Sequence, residues 1–163
     1  MAIIKPEYGT STAITATGLA SLANNAAYDL GAVNNGTDKF RDAMVYLAFK
    51  LATGTPGNEN AIYIYGYSSE DGTNFTDNSS GSAGAITLRS PTNLILLDRI
   101  EVPASGTGAL TWRHVINGLA QKLGGQVLPR KWGLVIRNAT NLAFDSTGGN
   151  HTVTYSGIYD TSS

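Results

Sequence analysis

The stretch at residues 127–138 (VLPRKWGLVIRN) constrains the fold more than any other part of the chain. In an extended segment, Trp132, Leu134 and Ile136 fall on the same side, because successive side chains of a strand point to opposite faces. Pro129 has no backbone N–H, which suits the entry to a strand and not its middle. The run ends in a turn-rich tetrapeptide. We predict a central β-strand whose Trp132 face helps to build the core of a β-sandwich.

Other segments with apolar residues at every second position predict further strands. The clearest are residues 40–52 and 61–68. The first of them places five apolar side chains on one face: Ala43, Val45, Leu47, Phe49 and Leu51. Weaker strand patterns occur at residues 12–17, 26–30, 86–88, 94–102, 110–116 and 151–160. The sequence thus predicts about eight strands and only a short helical turn, near Leu119. This pattern indicates an all-β, antiparallel sandwich.

The N-terminal residues differ from the rest of the chain. Residues 1–11 lack core periodicity and contain Pro6 and Gly9, so we predict an extended N-terminal arm outside a β-sandwich domain at residues 12–163. The arm is either loose or added as a strand to a neighbouring subunit. If it contacts a partner, the contacting side chains are its exposed apolar ones, Ile3, Ile4 and Tyr8.

The composition excludes several classes of partner. Charged residues make up 14% of the chain, and the 11 cations nearly balance the 12 anions. We therefore expect no nucleic-acid partner. Because the chain has no long apolar run, we expect no membrane partner. Because it has no secretion-signal pattern, we expect that it is not secreted. The absence of cysteine excludes disulfides. Near-neutrality gives little charge repulsion against self-association.

No motif in the sequence points to catalysis. His114 and His151 lie on separate predicted strands without metal-binding spacing, and no nucleophile-elbow or phosphate-binding glycine pattern occurs. We expect no enzyme activity, no cofactor and no metal. The loop at residues 69–84 offers carboxylate and amide oxygens suited to calcium, but its spacing does not match an EF-hand, so we interpret these residues as turn formers.

Two further groups of side chains are candidates for contact with a partner. Tyr63, Tyr65 and Tyr67 share one face of a predicted strand. They form either the amphipathic boundary of the core or an aromatic platform for a glycan or a protein. Arg130 and Lys131 lie at the start of the predicted central strand. They belong to a cationic set that also contains Arg113 and Arg137. Such cations either protect a strand edge and pair with partner carboxylates or contact phosphate.

Several segments resemble a group of small virion proteins of tailed bacteriophages. They are residues 88–94 (LRSPTNL), 127–138 (VLPRKWGLVIRN) and 148–159 (GGNHTVTYSGIY), with 19–27 (LASLANNAA) and 37–43 (TDKFRDA) nearer the start. The resemblance implies a β-sandwich, jelly-roll-like, that is assembled into the phage particle. It brings no catalytic motif.

We therefore expect a structural protein of a tailed-phage virion, in particular a capsid decoration (cement) protein that stabilises the head shell. Its partners would be the major capsid protein or other virion subunits, and its location the virion, assembled in the host cytoplasm. A homo-oligomer is expected, with a trimer favoured because three weak contacts at a local threefold axis act together. The alternative is a tail, collar or fibre component that binds a host-surface glycan.

Overall fold

The computed structural model describes residues 3–57, 59–104 and 110–162. The described residues form one short helix, α1 (Leu119–Lys122), and two single 3₁₀ turns. The strands of the described residues are β1 (Ile4–Tyr8), β2 (Thr12–Ile14), β3 (Ala27–Asn34), β4 (Asp42–Lys50), β5 (Ala61–Ser69), β6 (Gly84–Ile86), β7 (Ile95–Glu101), β8 (Thr111–Ile116), β9 (Lys131–Ala139) and β10 (Thr152–Ser162). The first two residues of the predicted arm lie outside the described residues.

The strands form two antiparallel sheets with five strands each. The first sheet has the order β1–β10–β4–β8, and β2 also pairs with β10; the second has the order β6–β3–β9–β5–β7. Opposite each other stand β2–β10–β4–β8 and β3–β9–β5–β7, which is the strand order of an eight-stranded jelly roll. The predicted antiparallel β-sandwich is confirmed. The described residues form ten strands where about eight were expected, and β1, which lies in the predicted arm, is the strand that no apolar alternation indicated.

The core lies between the sheets and follows the alternation of the sequence. All five side chains of the predicted inward face at residues 43–51 are completely buried. The predicted central strand is β9, the middle strand of the second sheet. Its Trp132 ring meets the ring of Tyr155 on β10 edge to face, with centroids 5.4 Å apart. An aromatic pair of this kind joins the two sheets across the core.

A second, smaller apolar cluster lies on the outer side of the second sheet. It contains the buried Tyr67, Leu94 and Val135, with Phe75 of the 69–84 loop packed against them. The rings of Tyr67 and Phe75 are perpendicular, with centroids 5.6 Å apart. The long loop is therefore anchored onto the sheet by Phe75.

The N-terminal arm is extended, and it lies along its own chain. Strand β1 pairs antiparallel with the end of β10, from Ile4 opposite Ser162 to Tyr8 opposite Ile158. All five residues of β1 are exposed. The arm is thus part of the first sheet of the same molecule and not a loose segment.

Among the described residues, no helix is long and apolar enough to cross a membrane.

Candidate interaction surfaces

The structure does not bring the predicted contact residues together into one site. Ile3, Ile4 and Tyr8 lie on or beside β1 at the margin of the first sheet. The three tyrosines of β5 lie on the outer side of the second sheet. Arg130 and Lys131 lie at the entry to β9. Each group therefore has to be considered by its own surroundings.

The outer side of the first sheet carries a strip of apolar side chains. The register places Tyr8 beside Ile158 and Tyr46 beside Val115, all pointing away from the core. Ile4 is 70% exposed, Tyr8 66% and Val115 43%. We call this strip the outer apolar face and define it by six residues: Ile4, Tyr8, Met44, Tyr46, Val115 and Ile158. Outward sheet positions in soluble sandwiches are usually polar, so a strip of this kind indicates a contact surface.

The free edge of β1 is poorly suited to adding another strand. The N–H of Gly9 donates to the carbonyl of Gly157 at 2.7 Å, so odd-numbered residues of β1 direct their backbone groups toward β10. Ile4, Pro6 and Tyr8 consequently direct theirs outward. Pro6 has no N–H, which interrupts that row at its centre. Contacts of this segment with a partner are therefore expected through side chains and not through a continued β-ladder.

Tyr67 is not available as part of an aromatic platform. Its side chain is 1% exposed, and its ring lies over Gly133 of the neighbouring strand, where a Cβ would come within 2.2 Å of the ring. Burial, together with the nearby carboxylate of Asp29, raises the pKa of the Tyr67 hydroxyl. The prediction of three partner-binding tyrosines is wrong for this residue, because the 69–84 loop covers it.

Tyr63 and Tyr65 remain on the surface and belong to a polar network. Their rings are stacked with centroids 6.3 Å apart. The guanidinium of Arg137 lies 5.3 Å from the centre of the Tyr63 ring and forms two contacts with Glu59, at 2.8 and 3.3 Å. Hydrogen bonds from Arg137 and Tyr63 lower the pKa of the Glu59 carboxyl. Arg137 is thus the centre of this network, although the sequence placed it only in a general cationic set.

A groove runs beside Tyr65 on the outer side of the second sheet. Its volume is about 680 Å³. We call it the Tyr65 groove and define it by Asn25, Tyr65, Leu88, Arg89, Pro91 and Arg137. These residues come from four separate parts of the chain: the turn before β3, β5, β9 and the 85–92 segment. The groove therefore has no local sequence motif.

The 85–92 segment that forms one wall of the groove is tied to the 69–84 loop. The side-chain amide of Asn78 donates to the carbonyl of Thr87 at 2.7 Å. Arg89 donates to the Asn78 side-chain oxygen at 3.0 Å and lies 3.3 Å from a carboxylate oxygen of Asp77. The hydroxyl of Thr92 donates to the other Asp77 oxygen. The wall is thus built by side-chain bonds that span two loops.

Lys131 and Arg130 have different surroundings. The ammonium of Lys131 donates to the carbonyl of Gly72 at 2.9 Å, so this side chain fixes the 69–84 loop. Arg130 is exposed and lines a shallow pocket with Lys39 and Val127. Of the two predicted cations, only Arg130 is fully exposed.

The acidic residues of the 69–84 loop stabilise its turns. Asp71 accepts the backbone N–H groups of Asn74 and Thr73, both at 2.8 Å, and these bonds lower the pKa of its carboxyl. Asp77 is occupied with Thr92 and Arg89. Within the described residues, no three histidine or acidic side chains are grouped closely enough to hold a metal ion. This geometry agrees with the interpretation of these residues as turn formers.

No protein-family model matches the chain, and no curated protein matches it either. Among solved structures, the chain is similar to one titled Desmodium yellow mottle tymovirus. The sequence identity is 11% over 100% of this chain and 89% of the other, and the TM-score is 0.31. The assignment of the fold rests on the strand order and on the core described above.

Proposed function

We propose that this chain is a structural protein of a tailed-phage virion and, within it, a decoration protein that binds the outer surface of the head shell. The observation that carries the proposal is the outer apolar face of the first sheet. The resemblance of the sequence to small virion proteins of tailed bacteriophages supplies the identity of the partner, namely the major capsid protein or another subunit of the shell.

The outer apolar face has the chemistry of a contact surface. Tyr8 and Tyr46 combine a rigid ring with a polar tip, and such side chains dominate the energetics of many interfaces. Exposed Ile4 and Val115 contribute apolar area, which stabilises a contact by about 25 cal/mol per Å² buried. The same outward positions also carry two carboxylates: Asp42 lies opposite Ile158, and Asp160 lies opposite Pro6 and is paired with Arg41 at 3.1 Å. Docking this face is therefore favourable only if these carboxylates stay paired or remain at the rim of the contact.

The small charge of the chain suits weak contacts that are repeated many times. With 11 cations and 12 anions, the chain has no large field that would repel another copy. Three copies joined at a local threefold axis would bind with an avidity far above that of one copy. This reasoning supports a trimer on the shell.

The test is co-sedimentation of the purified chain with heads that were assembled without it. We expect the unaltered chain to sediment with the heads. Val115→Lys should weaken binding at least tenfold, or about 1.4 kcal/mol, because it would place an unpaired ammonium in the contact. The matched control is Leu96→Lys, which changes an aliphatic residue of the second sheet that is 53% exposed, against 43% for Val115.

The outcomes separate the alternatives. Failure of the unaltered chain to bind heads, or equal weakening by both substitutions, would falsify the assignment to the head. Binding to purified tails and not to heads would instead support the alternative function, a tail, collar or fibre component that binds a host-surface glycan.

A further inference from the structure

We propose that the Tyr65 groove binds a neutral saccharide. The groove lies on the outer side of the second sheet, whereas the outer apolar face belongs to the first sheet. The two surfaces are on opposite sides of the sandwich. A chain docked through its first sheet therefore presents the groove away from its docking partner, and the saccharide site is independent of the proposed function.

The groove offers the apolar surface that a sugar ring requires. Tyr65 is half-buried and stacked on Tyr63, which leaves it little freedom to move. A tyrosine held in this way presents a flat apolar ring and a polar tip. Leu88 and Pro91 supply apolar surface from the 85–92 segment. The C–H face of a pyranose packs on surfaces of this kind.

The polar groups of the groove favour hydroxyl groups over anions. Arg137 is paired with Glu59 at 2.8 Å, and Arg89 lies 3.3 Å from Asp77. Each guanidinium keeps further N–H groups as donors, because a guanidinium carries five. Its charge, however, is already balanced by a carboxylate. A phosphate or a uronic acid therefore gains less in the groove than it would beside unpaired cations, whereas a sugar hydroxyl loses nothing by this pairing.

The size and rigidity of the groove also fit a short oligosaccharide. A volume of about 680 Å³ is within the range of small-molecule sites. The wall is preformed by the bonds of Asn78 to Thr87 and of Thr92 to Asp77. A preformed wall reduces the entropy that binding would otherwise cost.

The test is an NMR titration of the full chain with a panel of neutral hexose and N-acetylhexosamine oligosaccharides at millimolar concentration. Inorganic phosphate and a uronic-acid oligosaccharide serve as anionic probes. We expect shifts of Tyr65 and its neighbours with a neutral member of the panel, and none with the anionic probes. Tyr65→Ala should weaken that binding at least tenfold.

A second variant keeps the test decisive if Tyr65→Ala unfolds. Ile86 lines the groove, and the register places it opposite Ala27 on the same side of the second sheet as Arg137. Ile86→Trp would therefore fill the groove without entering the core between the sheets. It should abolish binding while preserving the cooperative thermal transition. Tyr46→Ala, on the opposite side of the sandwich, is the matched control and should bind normally. The proposal is overturned if no neutral saccharide binds, if Ile86→Trp binds as well as the unaltered chain, or if only the anionic probes bind.

Discussion

The hydroxyl of Tyr67 lies 2.8 Å from a carboxylate oxygen of Asp29, in a region closed to solvent. The same carboxylate accepts the N–H of Gly31 at 2.8 Å and the hydroxyl of Ser79 at 2.6 Å. One buried acid thus joins β3, β5 and the 69–84 loop. Because that loop supports the wall of the Tyr65 groove, this carboxylate connects the stability of the sheet to the shape of the groove.

Removing the Tyr67 hydroxyl should therefore destabilise the fold. Tyr67→Phe leaves Asp29 buried with one donor fewer, and a buried polar group that loses its partner costs about 1–3 kcal/mol. Urea unfolding measures the loss. The control is Tyr159→Phe, whose hydroxyl makes a long, exposed bond of 3.4 Å to Glu7. A change of the same size in both variants would contradict the role given to Asp29.

The close approach of Tyr67 to β9 leads to a second prediction. A Cβ at Gly133 would lie 2.2 Å from the Tyr67 ring, so Gly133→Ala must displace the ring and should cost about 1–3 kcal/mol. Gly84→Ala is the matched control, since no heavy atom of the described residues lies within 4 Å of a Cβ there. Thermal unfolding should show a lower Tm for Gly133→Ala alone. Equal Tm values would mean that the ring is not packed on β9.

Asp145 should make the stability depend on pH in the acid range. Hydrogen bonds from the Thr147 N–H and the Asn150 side chain lower the pKa of its carboxyl to about 2. The pKa of an unfolded aspartate is about 3.9, so the folded chain binds fewer protons. The stabilisation by this group is complete above the unfolded pKa and is lost as the pH falls toward about 2.

Urea midpoints measured at successively lower pH test this expectation. The unaltered chain should lose stability below about pH 4 more steeply than Asp145→Asn, which lacks the titrating group. Asp38→Asn is the control, because the Asp38 carboxylate is exposed and accepts no hydrogen bond within the described residues. Parallel curves for the unaltered chain and Asp145→Asn would assign the acid sensitivity to other groups.

The oligomeric state is the subject of a fourth prediction. We expect light scattering across a concentration series to give three times the mass of one chain, because three copies around a threefold axis would bind the shell cooperatively. A stable ring of six or twelve chains would point to the neck or the tail. A monomer at every concentration would contradict the trimer and leave the shell as the agent that brings the copies together.

Much of the fold was predictable because the core strands alternate strictly. The inward residues of β4 and the Trp132 face of β9 are buried where the period of two placed them. Strand β1 escaped this reasoning because all its residues are exposed, so no apolar period distinguishes it from a loose arm. Its partner is the end of β10, where Ser162 lies opposite Ile4, at the other end of the chain. Only the folded structure reveals that pairing.

The interaction surfaces were less predictable than the core. The sequence placed Tyr63, Tyr65 and Tyr67 on one face correctly, but it could not reveal that the 69–84 loop covers Tyr67. Gly133 was the available clue, since a glycine inside a strand indicates a close approach. The contact of Arg137 with Glu59 joins residues 78 positions apart and depends on the register of β5 and β9.

The most direct test of docking through the first sheet is a density map of phage heads reconstituted with the purified chain, obtained by electron cryomicroscopy. If the chain docks through its first sheet, the map will show a jelly roll on the outer surface of the shell, with Tyr46 and Val115 against the shell and Tyr65 facing solvent. Density in which the second sheet and the Tyr65 groove meet the shell, or heads without any added density, would contradict it.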